Sequence, residues 1–328
     1  MLEMCRRDQW SATDLDWSQA PREMGRDDEM AIVQYFTDMA GIELLAGALF
    51  REQERRVSNP VLREIFGTFV IDEERHSEVA RRLARFYDVH GYREYIQSPA
   101  LTKFFPHFIR AVSLLGNDVA NAYILGGELI LDIALLRSID DYVDDAMSAQ
   151  AMRLINRDES RHIAIDYHMA EYYASEEYLA AGGSTATPLG MRAAAWWTFA
   201  NVLFHAKPFF RDVFFEPMRR LDGNGARMRE AFRRMDLLTV KQAAAGAPFA
   251  RFVKSTKEIY SRPIVGRVFG GLASRVLGLD HEFMVRLASD ADLARAHGMA
   301  YDDLAQEALA VKDSDPSARI RSTRSASS

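Results

Sequence analysis

The sequence predicts an all-α protein. Ala, Leu, Glu, Arg and Met dominate its long segments, apolar residues recur at steps of three and four, and no convincing segment alternates apolar with polar residues over strand length. The chain has 328 residues, 48% hydrophobic and 27% charged, enough for a sizeable core. With 41 Lys+Arg against 47 Asp+Glu the formal net charge is -6, which excludes a generally basic nucleic-acid binder. The single cysteine, Cys5, excludes an internal disulfide framework and, within one chain, a Cys-ligated iron–sulfur cluster. No run without Asp, Glu, Lys or Arg exceeds 14 residues, the length of 193–206, short of a membrane-spanning helix. The first residues carry charge where a signal peptide needs an apolar run, so the expectation is a soluble, cytoplasmic protein.

Residues 1–27 read as an irregular arm, with Trp10 and Trp17 as anchors onto the body. Residues 28–181 hold four long helices. The first covers 28–56 and ends at a Ser58-Asn59-Pro60 turn, where Asn59 suits an N-cap and Pro60 a first helical position. The second runs to residue 90, with Gly91 placed to end it. A connection through Ser98-Pro99 and Pro106 leads to the third helix, 107–137. The Asp-rich segment 140–145 makes the next turn, and the fourth helix continues to 175. Gly182-Gly183-Ser184-Thr185 is a linker, and Thr187-Pro188 opens a second set of helices, so 182–311 are additional helices packing on the first four. The tail, 312–328, is rich in Ser and Arg and is expected to be disordered.

The second helix contains Asp72-Glu73-Glu74-Arg75-His76 and the fourth Asp158-Glu159-Ser160-Arg161-His162, both D-E-x-R-H. Residues three apart lie on one helix face, so each Glu and His can reach one metal ion together. Glu43 precedes Glu73 by 30 residues and Glu128 precedes Glu159 by 31. The midpoint of 43 and 73 is residue 58, and that of 128 and 159 falls between 143 and 144. Both lie inside a predicted turn. In an antiparallel hairpin, residues equidistant from the turn stand at the same height. Each lone Glu therefore faces a Glu-x-x-His pair, and two hairpins can close a single site.

These acids interrupt apolar stripes. Leu62, Phe66 and Phe69 precede Glu73; Met152 and Ile155 precede Glu159; Phe36 and Met39 precede Glu43. A lone carboxylate there costs several kcal/mol or stays protonated. Four carboxylates and two neutral imidazoles carry a charge of -4, which two divalent cations cancel. A single Glu-x-x-His in a helical protein is usually a surface pair. Two copies with matched flanks and matched upstream Glu residues are not explained that way.

The pattern Glu43, Glu73-x-x-His76, Glu128, Glu159-x-x-His162 resembles the ferritin-like di-iron carboxylate superfamily. The doubled D-E-x-R-H form is most similar to bacterial multicomponent monooxygenase hydroxylases. The small subunit of ribonucleotide reductase, its ligand-binding oxidase relatives and p-aminobenzoate N-oxygenase are also similar. The resemblance covers about residues 28–175. It implies a ferritin-like four-helix bundle with additional C-terminal helices and a di-iron centre that reacts with dioxygen. It further implies that Asp72 and Asp158 accept from the non-ligating nitrogens of the histidines across the site, and that Arg75 and Arg161 pair with those aspartates. The radical tyrosine of ribonucleotide reductase has Ala80 at its place, and the extra histidine of p-aminobenzoate N-oxygenase has Ile155. Tyr123 and Leu45 match the cross-linked pair of the ligand-binding oxidases.

The expected function is that of an O2-activating non-haem di-iron oxygenase or oxidase acting on a small organic substrate by hydroxylation, desaturation or N-oxygenation. Iron is expected, with manganese or a mixed Mn/Fe pair as alternatives. Electrons would come from a separate reductase or ferredoxin, from peroxide or from the substrate. No nucleic-acid partner or membrane span is expected, and a homodimer is compatible. The alternatives are a ligand-binding or radical-cofactor oxidase, a ferroxidase and a purely structural helical protein. Histidines 90, 107, 168, 205, 281 and 297 read as structural or surface residues. The aromatic stretch 196–215 reads as a helix packing on the bundle or on another subunit rather than a substrate wall. Gly126-Gly127 suggests close helix packing or a π-type distortion beside Glu128. The glycines from 266 to 271 lack the strand–helix context of a nucleotide site.

Overall fold

A computed structural model describes residues 1–114, 116–182, 189–262 and 281–313. No strand occurs among the described residues. The linker residues 183–185, Thr187-Pro188, the glycines from 266 to 271 and the tail from 314 lie outside them.

The arm is more ordered than its composition suggests. A short helix, α1 (Leu2–Arg7), buries Cys5, and a single 3-10 turn (Ala12–Asp14) is closed by a capping box from Ser11. The first long helix, α2 (Arg26–Arg56), starts with Asp27, Asp28 and Glu29, charges that favour a helix N-terminus. Residues 57–59 turn the chain into α3 (Pro60–Tyr87), where the Asn59 side chain accepts from the Val61 and Leu62 N–H groups. The predicted end at 90 comes three residues too late. Glu29 takes the His90 backbone N–H at 2.8 Å and its Nδ1 at 2.7 Å, holding the segment in a non-helical path before Gly91.

The predicted third helix, 107–137, is corrected to a more broken path. Pro99 opens α4 (Pro99–Leu114), which carries Pro106 in its interior. Proline removes one intrahelical bond there, and the buried face of Leu101, Phe104, Phe108 and Val112 offsets that loss. Gly116 precedes α5 (Asn117–Leu129), which runs into a π-helical segment (Ile130–Leu136) and then α6 (Arg137–Val143). The turn predicted over 140–145 narrows to two residues: Asp144 is left-handed with φ 51°, and Asp145 caps α7 (Ala146–Tyr173) by accepting from Ser148 N–H.

Helices α2 and α3 pack along each other, as do α5 and α7; α2 also touches α5, and α3 touches α7, so the four close a ring. At Gly47 a Cβ would stand 3.2 Å from Glu73 Cβ, so the missing side chain lets α2 approach α3 beside the candidate ligands. The stretch Asn117–Val143 is long and apolar enough to cross a membrane by length and composition. Its most apolar part is 72% buried, and a core helix passes the same test.

Beyond the ring lie α8 (Glu176–Gly182), α9 (Leu189–Phe209), a second π-helical segment (Phe210–Phe215), α10 (Glu216–Leu221), α11 (Ala226–Ala244), α12 (Pro248–Tyr260), α13 (His281–Met284), α14 (Asp290–Gly298) and α15 (Tyr301–Asp313). Helix α9 packs along α4, α11 covers α5 and the first π-helical segment, and α15 lies on α7. The predicted start of the tail at 312 is corrected: Lys312 belongs to α15 and is buried, because its ammonium meets Asp132 inside the bundle.

Candidate metal centre

The six side chains singled out by spacing converge inside the ring. Glu43, Glu73, His76 and Glu159 offer ligand atoms within 4.8 Å of one another, and so do Glu73, Glu128, Glu159 and His162. Glu73 and Glu159 belong to both groups. All six are at most 2% exposed. His76 Nδ1 stands 3.0 Å from Glu159 Oε1 and 3.8 Å from Glu73 Oε2; His162 Nδ1 stands 2.7 Å from Glu159 Oε2 and 3.2 Å from Glu73 Oε1. Each imidazole therefore turns its Nδ1 toward both shared carboxylates.

Buried polar atoms ordinarily find a partner. Here Glu43 Oε2, both oxygens of Glu73, Glu128 Oε2 and His76 Nδ1 have no hydrogen-bond partner among the described residues. A cluster of inward-facing, unpartnered carboxylate and imidazole atoms is the donor set that carboxylate–histidine metal sites use. Without a metal, the same crowding stabilises protons. Burial, and then the Glu73 and Glu159 charges, push Glu43 and Glu128 well above the usual carboxylate range. Burial pulls both histidines down, but the surrounding carboxylates outweigh it and hold His76 and His162 well above their ordinary value. Metal binding would displace these protons.

The outer imidazole nitrogens face aspartates. His76 Nε2 is 3.2 Å from Asp158 Oδ2, and His162 Nε2 is 3.5 Å from Asp72 Oδ2. Each aspartate thus serves the other motif's histidine. Arg75 pairs with Asp72 and, at 2.9 Å, with Asp158. Arg161 reaches Asp158 at 2.7 Å and Asp72 at 3.2 Å. Burial raises both acids, but hydrogen bonding and charge from the facing histidines hold them below the usual range, so they remain anionic acceptors.

Other functional neighbours were less visible in the sequence. Trp10, expected only as an anchor, donates Nε1–H to Asp158 Oδ2 at 2.6 Å, and Gln9 Nε2 donates to Asp72 Oδ1 at 3.2 Å. Asp166 lies one turn beyond His162, fully buried, with neither carboxyl oxygen partnered; burial pushes it well above the usual range. Its place on the inner stripe between His162 and Met169 was the available signal. Asp132, one turn after Glu128, meets Lys312 at 3.3 Å, and the ammonium also donates to Asn156 O at 2.7 Å and Ser160 Oγ at 3.1 Å. Burial lifts Asp132 to about 8 despite that cation.

A chamber of about 480 Å3 adjoins the cluster, with Glu128 in its wall. Its remaining lining is mainly aliphatic and aromatic, from α2, α4, α5, α9, α11 and α12. Part of the aromatic stretch forms that lining through Phe209, Phe210 and Phe214, whereas Trp197 and Phe204 are exposed. Tyr123 and Leu45 face the same chamber. The distortion suggested by Gly126-Gly127 occurs one turn later, at the π-helical segment.

Comparison with protein-family models, curated proteins and solved structures gives no match for this chain.

Proposed function

We propose that the chain is a dinuclear non-haem iron protein of the ferritin-like carboxylate kind, which uses dioxygen to oxidise an organic substrate. The observation that carries this reading is the sharing of Glu73 and Glu159 between two buried four-residue ligand groups. Glu43 and His76 would complete one metal position, Glu128 and His162 the other. Four carboxylates balance two divalent ions, which accounts for burying so much acid in an apolar ring. Two Fe(II) ions held there would supply electrons to dioxygen.

The chain's own residues would do the rest. Glu73 and Glu159, common to both ligand groups, would hold both ions. Asp72 and Asp158 fix the histidine tautomers. Phe50 and Phe69 pack against the His162 ring, at 5.0 and 4.2 Å between centroids, and exclude water from that side. An apolar chamber against Glu128 favours an organic substrate over a ferroxidase role, which would need a polar route for aqueous ions. With Cys5 buried and the sole thiol, a separate reductase or ferredoxin would return the electrons.

The test is metal content after expression in iron-supplemented medium, against a Glu73→Ala/Glu159→Ala double variant. About two irons per wild-type chain, lost in the variant, are expected. Oxygen consumption with a chemical reductant should follow the iron. Less than about half a metal per chain after anaerobic reconstitution with Fe(II) or Mn(II) overturns the reading.

A further inference from the structure

We propose that the chamber beside Glu128 binds a small, neutral, apolar molecule, the substrate of the centre; the word substrate here rests on the metal reading above. The size follows from the volume. About 480 Å3 lies within the range of small-molecule sites.

The absence of charge follows from the wall. Among the described lining residues the charged ones are Glu128 and Lys257. Lys257 is already committed: its Nζ lies 2.5 Å from Asp236 Oδ1, and Asp236 is buried and held by the Leu287 backbone N–H at 2.7 Å. Polar lining groups are also engaged. Gln242 Nε2 donates to Ala170 O at 3.2 Å, and Thr256 Oγ1 to Phe252 O at 2.9 Å. A ligand carboxylate or sulfonate would lose its hydration, meet the Glu128 wall and gain no free cation. A neutral body loses little and gains apolar contact, for instance with the stacked Phe104 and Phe209 rings, 4.2 Å between centroids. Tyr123, whose hydroxyl is kept neutral by burial, offers a donor to a substrate with one acceptor.

A glycine and an alanine keep the space open. A Cβ on Gly127 would meet nothing within 4 Å, although the residue is next to Glu128 and lines the chamber. Leucine there projects into free volume and also favours the helix. Ala206, on the α9 wall, offers an independent place to fill.

The experiment compares two fluorescent probes with one ring body, neutral N-phenyl-1-naphthylamine and its sulfonated counterpart 8-anilinonaphthalene-1-sulfonate, on the full chain with and without iron. One neutral probe per chain is expected, with a Kd at least tenfold below that of the sulfonate in both forms. Gly127→Leu and Ala206→Phe should each weaken the neutral probe at least tenfold while retaining native helicity and metal content. Equal or tighter sulfonate binding overturns the proposal, as does neutral binding unmoved by both folded variants. Should a variant unfold, the wild-type comparison of the two probes still decides. Two irons with no neutral probe bound sinks the chamber assignment alone; probe bound with no metal taken up sinks the metal reading alone. The Glu73→Ala/Glu159→Ala variant, lacking metals, should keep the probe.

Discussion

His76 and Asp158 are 82 residues apart and meet at 3.2 Å across the interface of α3 and α7, and His162 meets Asp72 in the reverse sense. Each Glu-x-x-His motif is therefore oriented by the aspartate that opens the other. Asp158→Asn should lower iron affinity about 10–100-fold, with Asp72→Asn close behind. Competition against a chromophoric chelator measures both. Unchanged affinity in the two variants would remove the orienting role.

Trp10 extends that lattice to the N-terminal arm. Its indole donates to Asp158 and its ring lies under Arg75, 5.0 Å from the guanidinium carbon. Trp10→Phe keeps the ring and deletes the donor. A stability loss of about 1–2 kcal/mol is expected, since the acceptor is charged but the indole is only partly buried. Chemical denaturation reads it, and an unchanged midpoint refutes it.

Lys312 and Asp132 form a pair with no exposed side-chain surface. Lys312→Met leaves a buried carboxyl without its cation and should cost about 3–5 kcal/mol when measured above pH 8, where Asp132 is ionised. Lys312→Met/Asp132→Leu should recover most of that loss, because both charges are gone. A double variant as unstable as the single one would show that packing of α15, not the charge pair, sets the stability.

The metal-free chain should become less stable as pH rises from 6 to 8. His76 and His162 have raised folded values, so their contribution is complete below about 6.5 and fades above it. Asp132, lifted to about 8, and the raised Glu43 and Glu128 also oppose deprotonation of the folded state. Asp72, Asp158 and Glu159 have lowered values and act only on the acid side, below about 4. Calorimetry should give a lower Tm at pH 8 than at pH 6 without metal. With metal bound the order should reverse, because binding requires the deprotonated ligands. A metal-free Tm that rises over this interval contradicts the argument from these shifts.

The six candidate ligands were legible because helical period and hairpin symmetry are local arithmetic. Glu43 faces Glu73, and Glu128 faces Glu159, at heights set by their distances from two turns. The crossed aspartates were legible only through the doubled motif. Much else depended on long-range partners that no spacing encodes. Asp132 and Lys312 are 180 residues apart, and Lys312 reads as the start of a polar tail until its carboxylate is known. Pro106 reads as a boundary, yet α4 runs through it because tertiary burial outweighs the missing bond. Helix α3 stops at Tyr87 because Glu29 captures His90, a contact that only the fold supplies. The chamber assembles from at least six helices, and volume left between elements has no sequence period.

If the centre takes up metal as proposed, the crossed orientation of the histidines would make it a proofreader of assembly. If one hairpin slid along the other by a helical turn, both histidines would lose their aspartates at once, and the shared glutamates would separate. Neither hairpin can then retain a competent half-site for itself. Metal uptake would report registration of the whole ring, and a misassembled chain would stay empty rather than holding one loosely bound, reactive iron.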